Sequence, residues 1–160
     1  MRPTPQIAVD LIKAFEGFHA VAAPGEAKPY VCPAGYWTQG YGSLRGPKGT
    51  KITEKSRHIT EMEGMAMLRR DLGSAEASIH RLLPLWSWQI TDAQFGALVS
   101  FIYNLGSGNF SSSTLRRKIR DGDLAGAADE FPRWVYGGGR KLSGLVGGRP
   151  SGRYSSPEIL

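Results

Sequence analysis

The stretch that decides the fold runs from residue 30 to residue 42 and reads YVCPAGYWTQGYG. Within it, Pro33-Ala34-Gly35 fits a three-residue hairpin loop, because proline suits the start of a type I turn and glycine suits the left-handed position that follows. This loop predicts a hairpin in which Cys32 pairs with Tyr36 and Tyr30 pairs with Thr38. Side chains alternate between the two faces of a strand, so these four residues share one face, where Cys32 and Thr38 are diagonal neighbours.

The chain before this hairpin predicts a helix that ends beside it. Thr4 is a candidate N-cap, an apolar stripe at helical spacing runs from Ile7 to Phe15, and Gly17 is a candidate C-terminal cap. Glu16 then lies in the last helical turn, where the helix dipole opposes a negative charge. We therefore expect Glu16 to keep its proton to a higher pH than an ordinary glutamate.

From residue 60 onwards the pattern is helical. Thr60 and Thr91 each begin a capping box, completed three residues later by Glu63 and Gln94, and Pro84 ends the first of these helices. Glycine and proline are dense between residues 17 and 50, which is typical of turn-rich β structure. The sequence therefore predicts one α+β domain over residues 1–160. It has a small β-lobe at about 17–55 and a larger helical lobe, formed by 60–160 and the N-terminal helix, with the long helix at 61–83 joining them.

The composition excludes several classes of protein. The 160 residues are 41% hydrophobic and carry a formal net charge of +6, which favours an anionic partner such as nucleic acid, a membrane surface or the polymer of a bacterial cell wall. A single cysteine, Cys32, excludes an intramolecular disulfide, and three scattered histidines disfavour a metal enzyme, so no metal and no cofactor are expected. The clustered basic residues are not interleaved with stacking aromatics, so nucleic acid is not an expected partner. The N-terminus lacks the uninterrupted apolar stretch of a secretory signal.

Five segments of the chain carry recognisable motifs. They are IKAFEG at residues 12–17, CPAGYWTQGYG at 32–42, AQFGALVSFIYNLG at 93–106, AADEFPRWV at 127–135 and GGRKLSGLV at 138–146. In this order they resemble the phage-type lysozymes, the endolysins of glycoside hydrolase family 24. The resemblance covers almost the whole chain and implies a lysozyme-like fold.

The resemblance also implies a catalytic set: a glutamate at the end of the first helix, an aspartate, and a threonine six residues after it. Glu16 and Thr38 match directly, and Cys32 occupies the position of the aspartate, as in a known branch of the family. The interval from Glu16 to Cys32 is longer than in compact members, so residues 19–30 are expected to form an enlarged loop. Family positions that contact the sugar correspond to Leu44, Tyr103 and Thr114.

Glycoside hydrolysis explains these residue types. A general acid must hold a proton near neutral pH to give it to the leaving oxygen, and Glu16 suits that role. Cys32 would act as a nucleophile, as an activator of water, or only as a structural residue. Because a thiol is mostly protonated at neutral pH, we favour Cys32 and Thr38 as the pair that positions a water, rather than a covalent thioglycoside.

The resemblance implies a muramidase, which hydrolyses the β-1,4 bond between N-acetylmuramic acid and N-acetylglucosamine in bacterial peptidoglycan and so lyses the host cell. Such a protein is expected to be a monomer. It would stay in the host cytoplasm until a holin-type protein permeabilises the membrane, and then reach the cell wall in the periplasm.

Two alternatives remain open at this point. A lytic transglycosylase needs one catalytic glutamate and no second carboxylate, and it leaves anhydro-muramic ends. A catalytically silent wall-binding module would have kept the fold after losing the aspartate. Replacing Glu16 by glutamine separates these alternatives, because a binding module should be indifferent to the change.

Overall fold

The computed structural model describes residues 2–19, 21–84, 89–134, 136–137 and 140–141. The helices are α1 (Gln6–Glu16), α2 (Glu61–Leu82), α3 (Asp92–Leu105), α4 (Ser107–Ser112), α5 (Thr114–Arg120) and α6 (Leu124–Ala128). The strands are β1 (Val21–Ala23), β2 (Glu26–Ala27), β3 (Tyr30–Val31), β4 (Trp37–Thr38), β5 (Ile59–Thr60), β6 (Tyr136–Gly137) and β7 (Arg140–Lys141). Helices and small antiparallel sheets thus occur together, which confirms the predicted α+β class.

The chain divides into two compact units, one of Glu16–Asp71 and the other of Met1–Phe15 together with Leu72–Leu160. The boundaries fall inside α1 and α2. The proposed assignment of a β-lobe and a helical lobe to one domain stays a prediction.

In the unit Glu16–Asp71, strands β1, β2 and β5 form an antiparallel sheet, and β3 and β4 form a separate hairpin. The core of this unit contains Ala27, Ile52, Ile59 and Met67, against which Phe18 and Trp37 pack. Ala27 of β2 and Ile59 of β5 both belong to this core, so the core packs against one face of the sheet. The hairpin of β3 and β4 is fixed through Trp37.

The prediction of an enlarged loop at residues 19–30 is wrong for residues 21–27. These residues form the paired strands β1 and β2. Gly25 makes the turn between them with φ +75°, and its carbonyl accepts a hydrogen bond of 2.9 Å from the N–H of Glu61. Ala27 is fully buried, whereas β1 is exposed at every residue. Because Ala27 is the one buried residue in this pair of strands, the sequence has no alternation of apolar and polar residues from which the strands could be predicted.

In the other unit, the buried face of α1 differs from the predicted stripe. Ala8, Val9 and Ile12 are buried, while Ile7 is 61% exposed and Phe15 is 38% exposed. The reason is a close helix–helix contact, since a Cβ added to Gly96 of α3 would lie 2.5 Å from the Cβ of Ala8. Two helices can approach this closely only where both carry a very small residue. Ala8 therefore faces α3, and the larger apolar side chains of Ile7 and Phe15 do not.

Thr4 does not act as the predicted cap of α1. Its hydroxyl and its N–H both donate to Oε1 of Glu76, at 2.5 and 2.6 Å. The carbonyl of Pro5 instead accepts the first helical N–H groups, those of Ala8 and Val9. A carboxylate far along the chain thus orients the Thr4 hydroxyl, and a backbone carbonyl accepts the first helical N–H groups in place of a side-chain cap.

The two predicted capping boxes are confirmed. Thr60 and Glu63 exchange the two hydrogen bonds of a capping box, as do Thr91 and Gln94 at the start of α3. Gly106 ends α3 with φ +86°. The short helix α4 had no counterpart in the prediction. Across the described residues, no helix combines the length and the hydropathy needed to cross a bilayer.

Candidate active site

Glu16 is the last residue of α1, and the backbone turns directly after it. Gly17 has φ +70°, a left-handed conformation that glycine adopts without strain and that ends the helix as predicted. A Cβ at Gly17 would lie 3.4 Å from Cε1 of His19. The tight turn therefore fixes the point from which the Glu16 side chain extends.

The carboxyl group of Glu16 is partly buried and, across the described part of the chain, has no hydrogen-bond or ion-pair partner. Burial raises the pKa of Glu16 from 4.5 to about 6, because the charged form loses hydration in this environment. A Cβ at Gly42 would lie 3.6 Å from Oε2 of Glu16, so a glycine turn brings backbone close to the carboxyl group. The direction of the pKa shift is the one expected from the sequence, but its cause is burial rather than the helix dipole.

The hairpin of β3 and β4 has the predicted register. Tyr30 pairs with Thr38, and the N–H of Cys32 donates to the carbonyl of Tyr36 at 2.9 Å. Gly35 has φ +86°, the left-handed conformation predicted for it. The alternation of side chains therefore puts Tyr30, Cys32, Tyr36 and Thr38 on one face of the hairpin.

The side chains on this face differ in their exposure. Thr38 is only 2% exposed, and its hydroxyl donates to the carbonyl oxygen of Tyr30 at 3.2 Å. Cys32 has a free thiol and is partly exposed, and Tyr36 is 62% exposed. The face thus carries a buried threonine whose hydroxyl is fixed, beside a partly exposed cysteine.

Tyr30 links the three residues predicted to be catalytic. Its pKa is raised first by burial, while a side-chain hydrogen bond with Thr38 lowers it and the charges of Cys32 and Glu16 raise it. The phenol therefore lies within electrostatic range of both Cys32 and Glu16. Sequence reasoning placed Tyr30 on this face but did not include it in the site; its cross-strand pairing with Thr38 was the available signal.

A second turn follows the hairpin and carries Leu44, one of the predicted sugar contacts. Gln39 and Ser43 exchange backbone hydrogen bonds of 3.1 Å in both directions, which closes the turn that contains Gly42. Within this turn the hydroxyl of Tyr41 donates to Oε1 of Glu61 at 2.9 Å. Leu44 emerges from it 56% exposed. An exposed apolar side chain next to this fixed turn is available to a ligand, and its role stays a prediction.

Tyr103 and Thr114, the other predicted sugar contacts, belong to the second unit. Tyr103 lies in α3 and Thr114 is the first residue of α5, and both are partly buried. The hydroxyl of Thr114 accepts a hydrogen bond of 2.9 Å from Arg117. Their predicted contact with substrate is untested.

Two of the motif segments extend past the described residues. Val135 and residues 138–139 and 142–146 lie outside them, so the second half of the last motif has no structural description. Within the residues that are described, no three His, Cys, Asp or Glu side chains form a group that could hold a metal ion.

The sequence matches the profile of the Phage lysozyme family over residues 13–151. It is 40% identical over 119 residues to a SAR-endolysin of Bacteriophage PS119, in an alignment that covers 74% of this chain and 66% of that protein. The chain thus spans slightly less than two thirds of the length of that relative.

Solved structures resemble the fold along almost the whole chain. The endolysin from Escherichia coli O157:H7 phage FAHEc1 has a TM-score of 0.74 at 26% identity, with 99% of this chain and 92% of that chain covered. The muramidase domain of SpmX from Asticaccaulis excentricus has a TM-score of 0.71 at 26% identity, covering 99% and 97%. These likenesses confirm the lysozyme-like fold. Because the family profile also covers most of the sequence, the chain belongs to the phage lysozyme family.

Proposed function

We propose that this chain is an endolysin with muramidase activity, which hydrolyses the β-1,4 bond between N-acetylmuramic acid and N-acetylglucosamine in bacterial peptidoglycan. The observation that carries the proposal is the partly buried carboxyl group of Glu16, which has no partner among the described residues and whose pKa is raised to about 6. A general acid of a glycosidase needs a pKa of this kind, because it must still hold its proton near neutral pH. The names of the similar proteins, endolysin and muramidase domain, support the same substrate.

In the proposed mechanism, Glu16 donates its proton to the glycosidic oxygen as the bond to the anomeric carbon breaks. Cys32 and Thr38 hold the water that adds to that carbon. The water keeps one hydrogen as the new hydroxyl of the sugar, and its other proton passes to the carboxylate left on Glu16 or to solvent. Thr38 suits this task because its hydroxyl is already fixed by the carbonyl of Tyr30, and Cys32 suits it because its thiol is accessible. The chemistry requires neither a metal nor a cofactor.

The biological setting belongs to the same proposal. The protein would act as a monomer, remain in the host cytoplasm until a holin-type protein permeabilises the membrane, and then reach the peptidoglycan in the periplasm. Its net charge of +6 suits approach to an anionic envelope. Leu44, Tyr103 and Thr114 are proposed to contact the glycan.

Mass spectrometry of the fragments released from purified peptidoglycan tests the proposal, with the wild-type protein and E16Q compared side by side. The expected result is reducing N-acetylmuramic acid ends that disappear in E16Q. Anhydro-muramic ends would instead assign a lytic transglycosylase and would leave Cys32 a structural residue. Binding to the wall without any released fragment would identify a catalytically silent binding module and would overturn the proposed enzymatic activity.

A further inference from the structure

Arg70 in α2 reaches the turn that carries Leu44, and the mechanism above gives it no task. Its Nη1 donates a hydrogen bond of 2.7 Å to the carbonyl of Gly46, and its Nη2 donates one of 2.8 Å to the carbonyl of Arg45. Arg45 and Gly46 directly follow Leu44 in the chain. The guanidinium of Arg70 therefore ties the backbone next to Leu44 to a helix of 22 residues.

The neighbouring residue Asp71 fixes the direction of this guanidinium. Nε of Arg70 donates to Oδ1 of Asp71 at 2.9 Å, and Nη2 lies 2.8 Å from the same oxygen. A guanidinium is planar and holds its N–H donors in a fixed fork. One edge of the fork thus faces the carboxylate, while the other edge faces the two carbonyls. Because its side chain is only 35% exposed, Arg70 is a fixed part of the turn.

Leu44 lies between two closed turns. The turn before it is closed by the pair of backbone hydrogen bonds of 3.1 Å described above. After it, Arg45 and Lys51 pair in an antiparallel bridge, and the N–H of Gly46 donates to the carbonyl of Thr50 at 2.8 Å. Leu44 is thus the link between the two turns, and the hydrogen bonds from α2 anchor the second turn.

The exposure of Leu44 makes this anchor important. Since Leu44 is 56% exposed, its side chain has little packing to set its direction, which therefore depends on the backbone of the link. A glycan that contacts a mobile link must order it, and ordering the backbone of a residue weakens binding by roughly tenfold. A link that is already fixed does not carry this cost.

We propose that Arg70 is a positioning residue for glycan binding, which fixes the backbone directly after Leu44 so that this side chain is held in its binding position. The inference rests on the proposed function, in which Leu44 contacts the glycan. The effect is on binding rather than on bond cleavage, because the hydrogen bonds of Arg70 described above go to this turn and to Asp71.

The test compares R70M with R57M. Arg57 is a matched control because it lies in the same unit, donates to the carbonyl of His58 and pairs with the carboxylate of Glu63, and its replacement removes the same single charge. Isothermal titration calorimetry with solubilised peptidoglycan strands measures Kd, in the E16Q background so that the strands stay intact. We expect R70M to raise Kd about tenfold and R57M to leave it within twofold. In the otherwise wild-type protein, R70M should leave kcat within twofold.

A second set of variants shows whether Arg70 acts through Leu44. L44A should raise Kd at least as much as R70M does, and adding R70M to L44A should have no further effect, because no side chain is left to position. R70K keeps the charge but replaces the fork by a single ammonium, so it should give an intermediate Kd. If circular dichroism shows that R70M does not fold, R70K is compared in both backgrounds instead.

An equal cost of R70M with Leu44 and with L44A would overturn the proposal, because Arg70 would then act elsewhere or contact the strand itself. An equal rise of Kd in R57M, an unchanged Kd in R70M or L44A, or a tenfold fall of kcat in R70M would overturn it as well. A wild-type protein that binds the strands but releases no fragments would overturn the proposed hydrolysis alone, since the binding measurements do not depend on turnover. The two failures are therefore distinguishable.

Discussion

Two glutamates, one in each unit, show how differently the chain treats a carboxyl group that it removes from water. Glu130 has a side chain only 4% exposed and forms ion pairs with Lys118 at 3.0 Å and Arg133 at 3.3 Å. A hydrogen bond from Lys118 is the main cause that lowers the pKa of Glu130 below its ordinary value. Glu16 is partly buried with no such partner in the described residues, and its pKa rises to about 6.

The comparison teaches that the partners of a buried carboxyl group, more than its depth, decide its role. Glu130 exposes less of its side chain than Glu16, yet its pKa is lowered because two cations pair with the carboxylate. Glu16 receives no such compensation from the residues that the structure describes, which costs stability but provides an acid that holds a proton near neutral pH. A fold that only needed to be stable would have no use for such an arrangement.

The largest expected effect that tests the contrast between Glu16 and Glu130 is the loss of activity in E16Q. Glutamine keeps the shape of the side chain but has no proton to donate, so we expect the rate of release of reducing ends to fall by about 10²- to 10⁴-fold. The matched variant E130Q should retain the wild-type rate at a temperature at which it is folded. A rate for E16Q above one tenth of the wild-type rate would remove Glu16 from the mechanism.

The next effect is the dependence of the rate on pH. Glu16 must be protonated to act, and its pKa is about 6, so the rate should fall as the pH rises through 6. The protonated fraction drops from one half at the pKa to roughly 1% two units above it, which predicts a fall of about 50-fold. Initial rates at constant ionic strength measure it. A rate that stays level above pH 6 would show that protonation of Glu16 does not limit turnover and would contradict its role as the general acid.

How much of this could be read from the sequence depended on the range of the interactions. The register of the hairpin was predictable because Pro33-Ala34-Gly35 specifies its own turn, and the capping box at Thr91 was predictable because both partners lie within three residues. The buried face of α1 was not, because it depends on the approach of Gly96 to Ala8 from a helix far along the chain.

The same distinction between local and long-range interactions applies to the candidate site. Glu16, Cys32 and Thr38 were identified from spacing and family motifs, and their catalytic roles remain predictions. The burial that raises the pKa of Glu16 could not be predicted, because it is set by which distant residues surround the carboxyl group. Tyr30 was visible as the cross-strand neighbour of Thr38, but nothing in the sequence showed that it is partly buried.

A smaller expected effect tests the ion pairs of Glu130. E130Q removes the charge that pairs with Lys118 and Arg133, and we expect it to lower the free energy of unfolding at pH 7 by about 1–3 kcal/mol. Urea denaturation followed by circular dichroism measures the change. The stabilisation from Glu130 exists above the ordinary pKa of glutamate and is lost as the pH falls through its lowered pKa, so the difference between wild type and E130Q should shrink on acidification. An unchanged urea midpoint at pH 7 would show that the two ion pairs contribute nothing.

The smallest effect has the opposite sign and belongs to Glu16. Because its pKa is raised in the folded state, its favourable contribution is complete below pH 4.5 and is lost as the pH rises through 6. E16Q does not titrate, so at pH 7.5 it should be more stable than the wild type by up to about 2 kcal/mol, the equivalent of a shift from 4.5 to about 6. At pH 4 the two proteins should unfold at the same urea concentration. Equal stability at both pH values would mean that the carboxylate finds compensation in solution, and the contrast with Glu130 would then disappear.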